Sequence, residues 1–497
     1  MFKRNHVHRI VSIAICCFEM LHSHAQTHKP NVIIIYTDDL GYGDVSCYGA
    51  KKISTPNVDE LAKNGLLFTN AHCTASTCTP SRFSLITGKY AWRQKGTGIA
   101  DGDAPLIISP ETETLPAMLK KAGYRTAVVG KWHLGLGGKG GPDWNSDLKP
   151  GPLEIGFDYS FIIPATADRV PCVFVKDHRV VGWDSNDLIR VNYHNKIGSD
   201  PTGYEHPEML KVKANPYHSK TIVDSISRIG FMSGGIKARW VDEDIAKTLK
   251  DQAINFIDQN SDEPFFLYFA THDIHVPHAP NSLFMGKSSM GIRGDAILQM
   301  DWTVGEILAH LKEKNILENT LIIFSSDNGP VLQDGYEDDA VAASIGHDPA
   351  GPYRGGKYSP YEGGTRVPFI VYWPARVRHG VTSALFSQID LFASLAKLSG
   401  QQVTKGEAPD SFNMLPTLLG DSKIGRNYVV EQAMNDKLSL IYKKWKYVEE
   451  GQQLYDLSKD QGEQHNVSKA QAKILLEMTK KIEVIKQQKN QGHPVKL

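Results

Sequence analysis

The chain is poor in most of the features that would single out a specialised protein class. Cysteine is scarce, six in 497 residues, too few for a small disulfide-stapled scaffold. Neither sign of charge is in excess, with 55 basic side chains against 55 acidic ones, so nothing electrostatic selects nucleic acid as a partner. No stretch reaches the ~20 consecutive apolar residues of a membrane-spanning helix, and no internal repeat is evident. The Gly-rich segment Leu134–Gly141 lacks the spacing of a phosphate-binding loop and reads as a flexible rim. What is present is 41% hydrophobic and 9% aromatic residues. That content excludes a disordered chain and suits a large α/β unit with an appendage.

The first 25 residues stand apart. Lys3, Arg4 and Arg9 precede the apolar run Ile10–Phe18, and Ser23-His24-Ala25 offers a small-x-small cleavage site. This is the layout of a secretory signal peptide, and the apolar run is too short to cross a bilayer. The expectation is an exported protein, periplasmic or secreted, without an integral membrane anchor. An acylated Cys16 or Cys17 is disfavoured by Ile15, where a small residue is usual. Cleavage after Ala25 leaves 52 basic and 54 acidic residues, a net charge of −2. An anionic substrate must therefore be drawn in by a local site.

Beyond the signal, Asn31–Thr37, Tyr124–Val129, Pro264–Ala270, Thr320–Ser325 and Val367–Tyr372 are nearly continuous apolar runs. Strands covered on both faces read this way, which predicts a parallel-rich sheet sandwiched by helices. Helices are expected after Thr55-Pro56, along Val241, Ile245, Leu249 and Phe256, and over Gln388–Leu398 ahead of Gly400. Gly137 to Arg239 reads as insertions on the sheet. The division expected is residues 26–400 as the catalytic unit and 401–497 as a small α+β subdomain. The subdomain has short strands at Tyr428–Val430, Leu438–Tyr442, Lys446–Val448 and Gln453–Asp456 and one helix over Lys473–Gln488.

Chemistry-bearing residues follow the strands. Asp38 and Asp39 close the first, and Asp327 and Asn328 close the Thr320–Ser325 strand. Ligand sites of open α/β sheets lie beyond the carboxyl ends of the strands, and four hard oxygen donors suit Ca²⁺ or Mg²⁺. Each pair taken singly is also a turn sequence. Cys78, in Cys78-Thr79-Pro80-Ser81-Arg82, sits at the entry of a helix, where unpaired N–H groups favour anions. Arg82, four residues on, projects from the same face. A lone cysteine is equally a buried hydrophobe. His272, His275 and His278 recur every three residues, but Pro277 and Pro280 forbid a helical zinc cluster.

Cys78-x-Pro80-x-Arg82, with Thr77–Thr87 followed by Gly88-Lys89-Tyr90, resembles the signature of the type I sulfatases. In that family this cysteine is oxidised after synthesis to formylglycine (3-oxoalanine). Gly130-Lys131-Trp132-His133-Leu134-Gly135 resembles the second signature, and the blocks occur in the family's order from Asn31 to the C-terminus. Leu454-Tyr455-Asp456-Leu457 resembles part of the family's C-terminal subdomain. The resemblance implies an alkaline-phosphatase-like mixed sheet and a calcium ion on Asp38, Asp39, Asp327, Asn328 and residue 78. It implies a formylglycine-generating enzyme as maturation partner. Arg82 and Lys131 would steady the sulfate, His272 with Lys357 would protonate the leaving oxygen, and His133 would take the second hydroxyl's proton. The aldehyde hydrate offers one hydroxyl to attack sulfur and a second to expel sulfate.

Ile163–Pro171 resembles a segment near the pocket of bacterial polysaccharide sulfatases. It places Thr166 at a sulfate-contacting position, with Asp168 and Arg169 as further substrate contacts; His275 is expected as a substrate contact or as a neighbour holding the loop. The expected substrate is a sulfated saccharide, 6-O-sulfated galactose or N-acetylgalactosamine. The competing readings are a phosphatase or phosphodiesterase of the same superfamily, and a sulfated-glycan-binding protein whose residue 78 stays unmodified. Cys47, Cys73 and Cys172 cannot all pair within the mature chain, so at least one is free or buried.

Overall fold

Every residue of Asn31–Thr37 (β1) is buried, as expected of a strand covered on both faces. It is the middle strand of a computed structural model that describes residues 29–488 and Pro494. The secretory-signal reading of residues 1–25 lies outside the described residues. β1 pairs in parallel with Phe265–Ala270 and with Thr320–Ser326. Arg125–Lys131 pairs in parallel beyond the first of these, and Tyr159–Ile163 beyond that.

The remaining strands of the main sheet complete the numbering. Leu66–Phe68 is β2, Arg125–Lys131 β3, Tyr159–Ile163 β4, Val175–Lys176 β5 and Arg179–Val180 β6. Phe265–Ala270 is β7, Thr320–Ser326 β8, Phe369–Tyr372 β9 and Gly380–Thr382 β10. The sheet runs β10-β2-β9-β8-β1-β7-β3-β4-β5-β6. Its five central strands are parallel, while β9 is antiparallel to both β8 and β2. The alkaline-phosphatase-like mixed sheet is thus present, and the segment after Gly137 extends it through β4, β5 and β6.

Helices Pro56–Asn64 (α1), Ile245–Gln259 (α4) and Gly291–Glu313 (α5) pack together, and Cys78–Thr87 (α2), Leu115–Lys121 (α3) and Leu391–Leu398 (α6) form a second layer. α4 turns Ile245, Leu249, Ala253, Phe256 and Ile257 inward. Val241, expected on that face, lies before the helix and is 49% exposed. The four free cysteines among the described residues are Cys47, Cys73, Cys78 and Cys172, and all but Cys47 are buried.

Four antiparallel strands form a separate sheet: Tyr428–Gln432 (β11), Leu438–Tyr442 (β12), Trp445–Val448 (β13) and Gln453–Asp456 (β14). Helix Ala472–Gln487 (α7) covers it, with Met478, Ile482 and Ile485 packing on Tyr428, Val430, Leu440 and Tyr447. Leu418 and Leu419 belong instead to the main core, so packing is continuous across residue 400.

A fully buried charge cluster joins the main body to the small sheet. Lys446 Nζ lies 2.9 Å from Glu362 Oε1 and 2.9 Å from Glu431 Oε2. His72 Nδ1 lies 2.9 Å from Glu431 Oε1. Burial, together with the nearby Glu362 and Glu431 and against the pull of Lys446, raises Glu463 from its ordinary 4.5 to about 7. A carboxyl raised on folding stabilises the protein fully below the unfolded value and loses that contribution as pH rises through the folded one. Glu463→Gln is therefore expected to gain melting temperature relative to wild type as pH climbs from 5 to 8, a trend that thermal melts across that range will check.

Candidate active site

The parallel register brings the polar residues to one edge. Thr37 of β1 faces Ser326 of β8, so Asp38 and Asp327 leave their strands side by side. Asp39 N–H donates to Asp327 Oδ1 at 3.3 Å. β3 and β7 are in the same layer, Ala270 opposite Gly130, which delivers Lys131 to the same edge. Gly130 has φ +115° there, and a Cβ would stand 1.7 Å from the carbonyl oxygen of Ala270, so no other residue fits. Asp39 and His133 hold left-handed backbone at φ 57° and 54°, a strain that collects at functional sites.

Cys78 opens α2 with Thr77 as its N-cap, and Arg82 follows one turn on. The Arg82 guanidinium donates through Nε to Asp327 Oδ2 at 2.9 Å and pairs with the same oxygen through a second nitrogen at 2.8 Å. Lys131 Nζ lies 2.6 Å from Asp38 Oδ2 and 3.7 Å from Asp327 Oδ2. Lys357 Nζ donates to Asp39 Oδ2 at 2.8 Å and to Asp334 Oδ2 at 2.8 Å. Asp38, Asp39, Asp327 and Asp334 thus face Arg82, Lys131 and Lys357, four carboxyl groups against three basic side chains. Burial and the neighbouring carboxylates Asp327 and Asp39 raise Asp38 well above the ordinary carboxylate range, although Lys131 opposes them. Asp38 Oδ1 and Asn328 Oδ1 are buried and accept no hydrogen bond, while Asn328 Nδ2 donates to Asp39 Oδ1 at 2.7 Å. Hard oxygens facing inward without donors are what a divalent cation of the calcium or magnesium kind takes up.

Two histidines differ from expectation. His272 does not reach this edge. Its ring lies with Ala246 and Leu249 of α4 and Thr303 of α5 around a void of about 10 Å³, 3.5 Å from Asp273 Oδ1. The turn closed by His275 N–H on the His272 carbonyl sends the two rings apart. His275 is the histidine that meets Lys357, Nζ to Nε2 at 3.1 Å. Its Nδ1 donates to the Val276 carbonyl at 2.7 Å, so Nε2 carries the lone pair that accepts from Lys357. Burial first, then Lys357, hold His275 well below the ordinary histidine range. His278 turns elsewhere again, 2.5 Å from Asp338, so the three histidines share no site.

His133 Nε2 donates to the Ala100 carbonyl at 2.9 Å, and its Nδ1 is buried without a partner. Burial, then Lys131 and Arg169, keep this ring neutral by pushing it well below the ordinary range. Burial raises the Cys78 thiol against the pull of Lys131 and Lys357. An unmodified Cys78 is therefore a neutral thiol, a weak nucleophile.

Cys78, His275 and Lys357 line a cavity of about 680 Å³ whose walls include Asp168, Arg169 and His218. Arg169 Nη1 lies 2.9 Å from Asp168 Oδ1, and His218 Nε2 lies 3.3 Å from Asp168 Oδ2. Thr166 is not in this lining; its hydroxyl is engaged by Asp168 and accepts from Arg169 at 2.7 Å. Among the residues here outside the sequence reading are Asp334, which holds Lys357, His218, which holds Asp168, and Met434 from the small subdomain at the rim. No local motif marks them, because each is brought in from a distant part of the chain.

The sulfatase family model matches residues 30–401. The chain is 52% identical over 478 residues to the N-acetylgalactosamine-6-O-sulfatase of Bacteroides thetaiotaomicron, covering 93% of this chain and 94% of that protein. Human arylsulfatase A is 33% identical over 414 residues, covering 81% of this chain and 70% of its own length. A solved structure from a Bacteroides thetaiotaomicron locus for the metabolism of multiple glycosaminoglycans superposes with a TM-score of 0.92 at 52% identity, over 93% of this chain and 100% of that one. With its central sheet and gathered polar edge, the chain belongs to the sulfatase family of sulfate-ester hydrolases.

Proposed function

We propose that the protein is an exported enzyme that removes 6-O-sulfate from N-acetylgalactosamine or galactose units of sulfated saccharides. The observation that carries this is a cavity with Cys78 and the His275–Lys357 pair at one end and the Asp168–Arg169 pair on its wall. The named activity of the 52% identical relative supports the choice of sugar.

Calcium held by Asp38, Asp39, Asp327, Asn328 and residue 78 would polarise the sulfate group as a Lewis acid. Oxidation of Cys78 to 3-oxoalanine by a formylglycine-generating enzyme would supply a hydrated aldehyde as nucleophile. Arg82 and Lys131 place two fixed positive charges where negative charge develops, at no cost in reorganisation. His133, neutral and with Nδ1 free, accepts a proton. In place of His272 with Lys357, the Lys357 ammonium supplies the proton for the leaving sugar oxygen, passed through His275 Nε2, which accepts from it. Asp168 accepts from a sugar hydroxyl and Arg169 donates to one. Thr166 acts through these two rather than on the sulfate.

Arg169→Ala is expected to lower kcat/KM on the preferred sugar by roughly 10–10²-fold, because the hydroxyl it binds and Asp168 both lose a partner; steady-state kinetics on a defined monosaccharide reads this. Sulfate release from 6-O-sulfated N-acetylgalactosamine, galactose and N-acetylglucosamine, beside 4-O-sulfated N-acetylgalactosamine, tests the assignment. Faster release from the 4-O-sulfated sugar would overturn the substrate. No release from any sulfate ester by protein whose residue 78 is oxidised would overturn the catalytic reading and leave a glycan-binding protein.

A further inference from the structure

We infer that the small C-terminal subdomain is a positioning element of the active site, acting through β11 and the buried pair Glu431–Lys446. The inference rests on the catalytic reading of Cys78 and Lys357 above. β11 does not end its pairing within its own sheet. Gln432 N–H donates to the Thr74 carbonyl at 2.9 Å, and Ser76 N–H donates to the Gln432 carbonyl at 2.8 Å. Two residues after Ser76, α2 begins at Cys78. The Ser76 carbonyl then accepts from Tyr358 N–H at 2.8 Å, and the Tyr358 carbonyl accepts from Met434 N–H at 3.2 Å. Four main-chain hydrogen bonds thus close a circuit through β11, the segment that delivers residue 78, and the residue next to Lys357.

The charge cluster sets the register of that circuit. Glu431, one residue before Gln432, accepts from the Thr365 hydroxyl at 2.6 Å and the Ser439 hydroxyl at 2.9 Å. It also meets His72 and Lys446, and Lys446 reaches across to Glu362. Arg366 pairs with the other oxygen of Glu362 at 3.2 Å. His72, Glu362, Thr365 and Arg366 come from the main body, and Glu431, Ser439 and Lys446 from the subdomain. A buried pair is costly to break and satisfied in one geometry only. Apolar packing of α7 on its sheet would hold the subdomain together in any register; the polar cluster selects one. The nucleophile opens α2 and the proton donor sits on a separate loop, and a misplacement of about 1 Å between reacting groups costs about 10²-fold in rate.

Glu431→Gln is the test, with Ser439→Ala as a milder variant that removes one hydrogen bond to the same carboxylate. Each is assayed well below its own melting temperature, per folded molecule, with residue 78 confirmed as oxidised by mass spectrometry. The expected result is a fall in kcat of about tenfold for Glu431→Gln and about threefold for Ser439→Ala, with KM changed by less than about threefold. Hydrogen exchange should speed at the Ser76 and Met434 amides while the amides of β1 keep wild-type protection. Wild-type kcat per folded molecule, or unchanged exchange at Ser76, in a folded variant overturns the inference. The exchange arm needs no turnover, so it still decides the question if the wild-type protein cleaves no sulfate ester.

Discussion

A Cys78→Ala variant is expected to lose sulfate release by at least about 10³-fold while keeping the circular dichroism and nearly the melting temperature of the wild type. The nucleophile is assigned to oxygen carried on Cβ at this position, so a methyl group there removes it outright. The fold has little to lose. α2 is closed by Gly88 in left-handed backbone, whose N–H bonds the Ser84 carbonyl. Arg82 remains tied to Asp327. Cys78 already borders the cavity, so truncation enlarges an existing space instead of opening a new void in packed core. Sulfate release, a thermal melt and the mass of the peptide containing residue 78 check the prediction together. A variant that retained turnover would place the nucleophile elsewhere, and one that failed to fold would make Cys78 a structural residue.

His275→Ala is expected to lower kcat by about 10²–10⁴-fold on sugar sulfates, the range for loss of a positioned acid or base. His272→Ala is expected to stay within about threefold of wild type. His275 accepts from Lys357 at 3.1 Å and lines the cavity, whereas His272 lies among α4 and α5 residues. Aryl sulfates with good leaving groups need less protonation, so the His275 defect should shrink on them. Equal defects on both ester classes would point to a binding role for His275. The reverse ranking of the two variants would return the acid to His272.

Much of this was legible because it is local. Continuous apolar runs such as NVIIIYT and PFFLYFA read as covered strands and point to a parallel-rich sheet. Asp38-Asp39 and Asp327-Asn328 were identifiable as partners because ligand sites gather at strand ends. The His272–His278 segment was ambiguous for a physical reason. All three rings follow the same strand within seven residues, and their directions depend on a turn whose path is set by hydrogen bonds to Asp38: the Asp273 carbonyl accepts from Asp38 N–H at 3.0 Å, and Ile274 N–H donates to the Asp38 carbonyl at 2.8 Å. Neither partner is near in sequence. The place of Thr166 after Ile163-Pro164 suggests a sulfate contact, but its hydroxyl is taken by the neighbouring Asp168 and Arg169.

The covered strands and the helix opened by Cys78, with Arg82 one turn along, could be read from the sequence; the family was legible as a resemblance of the Cys78–Arg82 and Gly130–Gly135 blocks. The strands and the helix rest on spacing within a few residues, where backbone geometry leaves little choice. Folding in three dimensions sets which histidine meets Lys357, that Asp334 and His218 hold Lys357 and Asp168, and that β11 runs beside the segment leading to Cys78. Each of those contacts joins residues tens to hundreds of positions apart, and buried charges such as Lys446 and Glu431 find their partners only once the small sheet has docked on the main body.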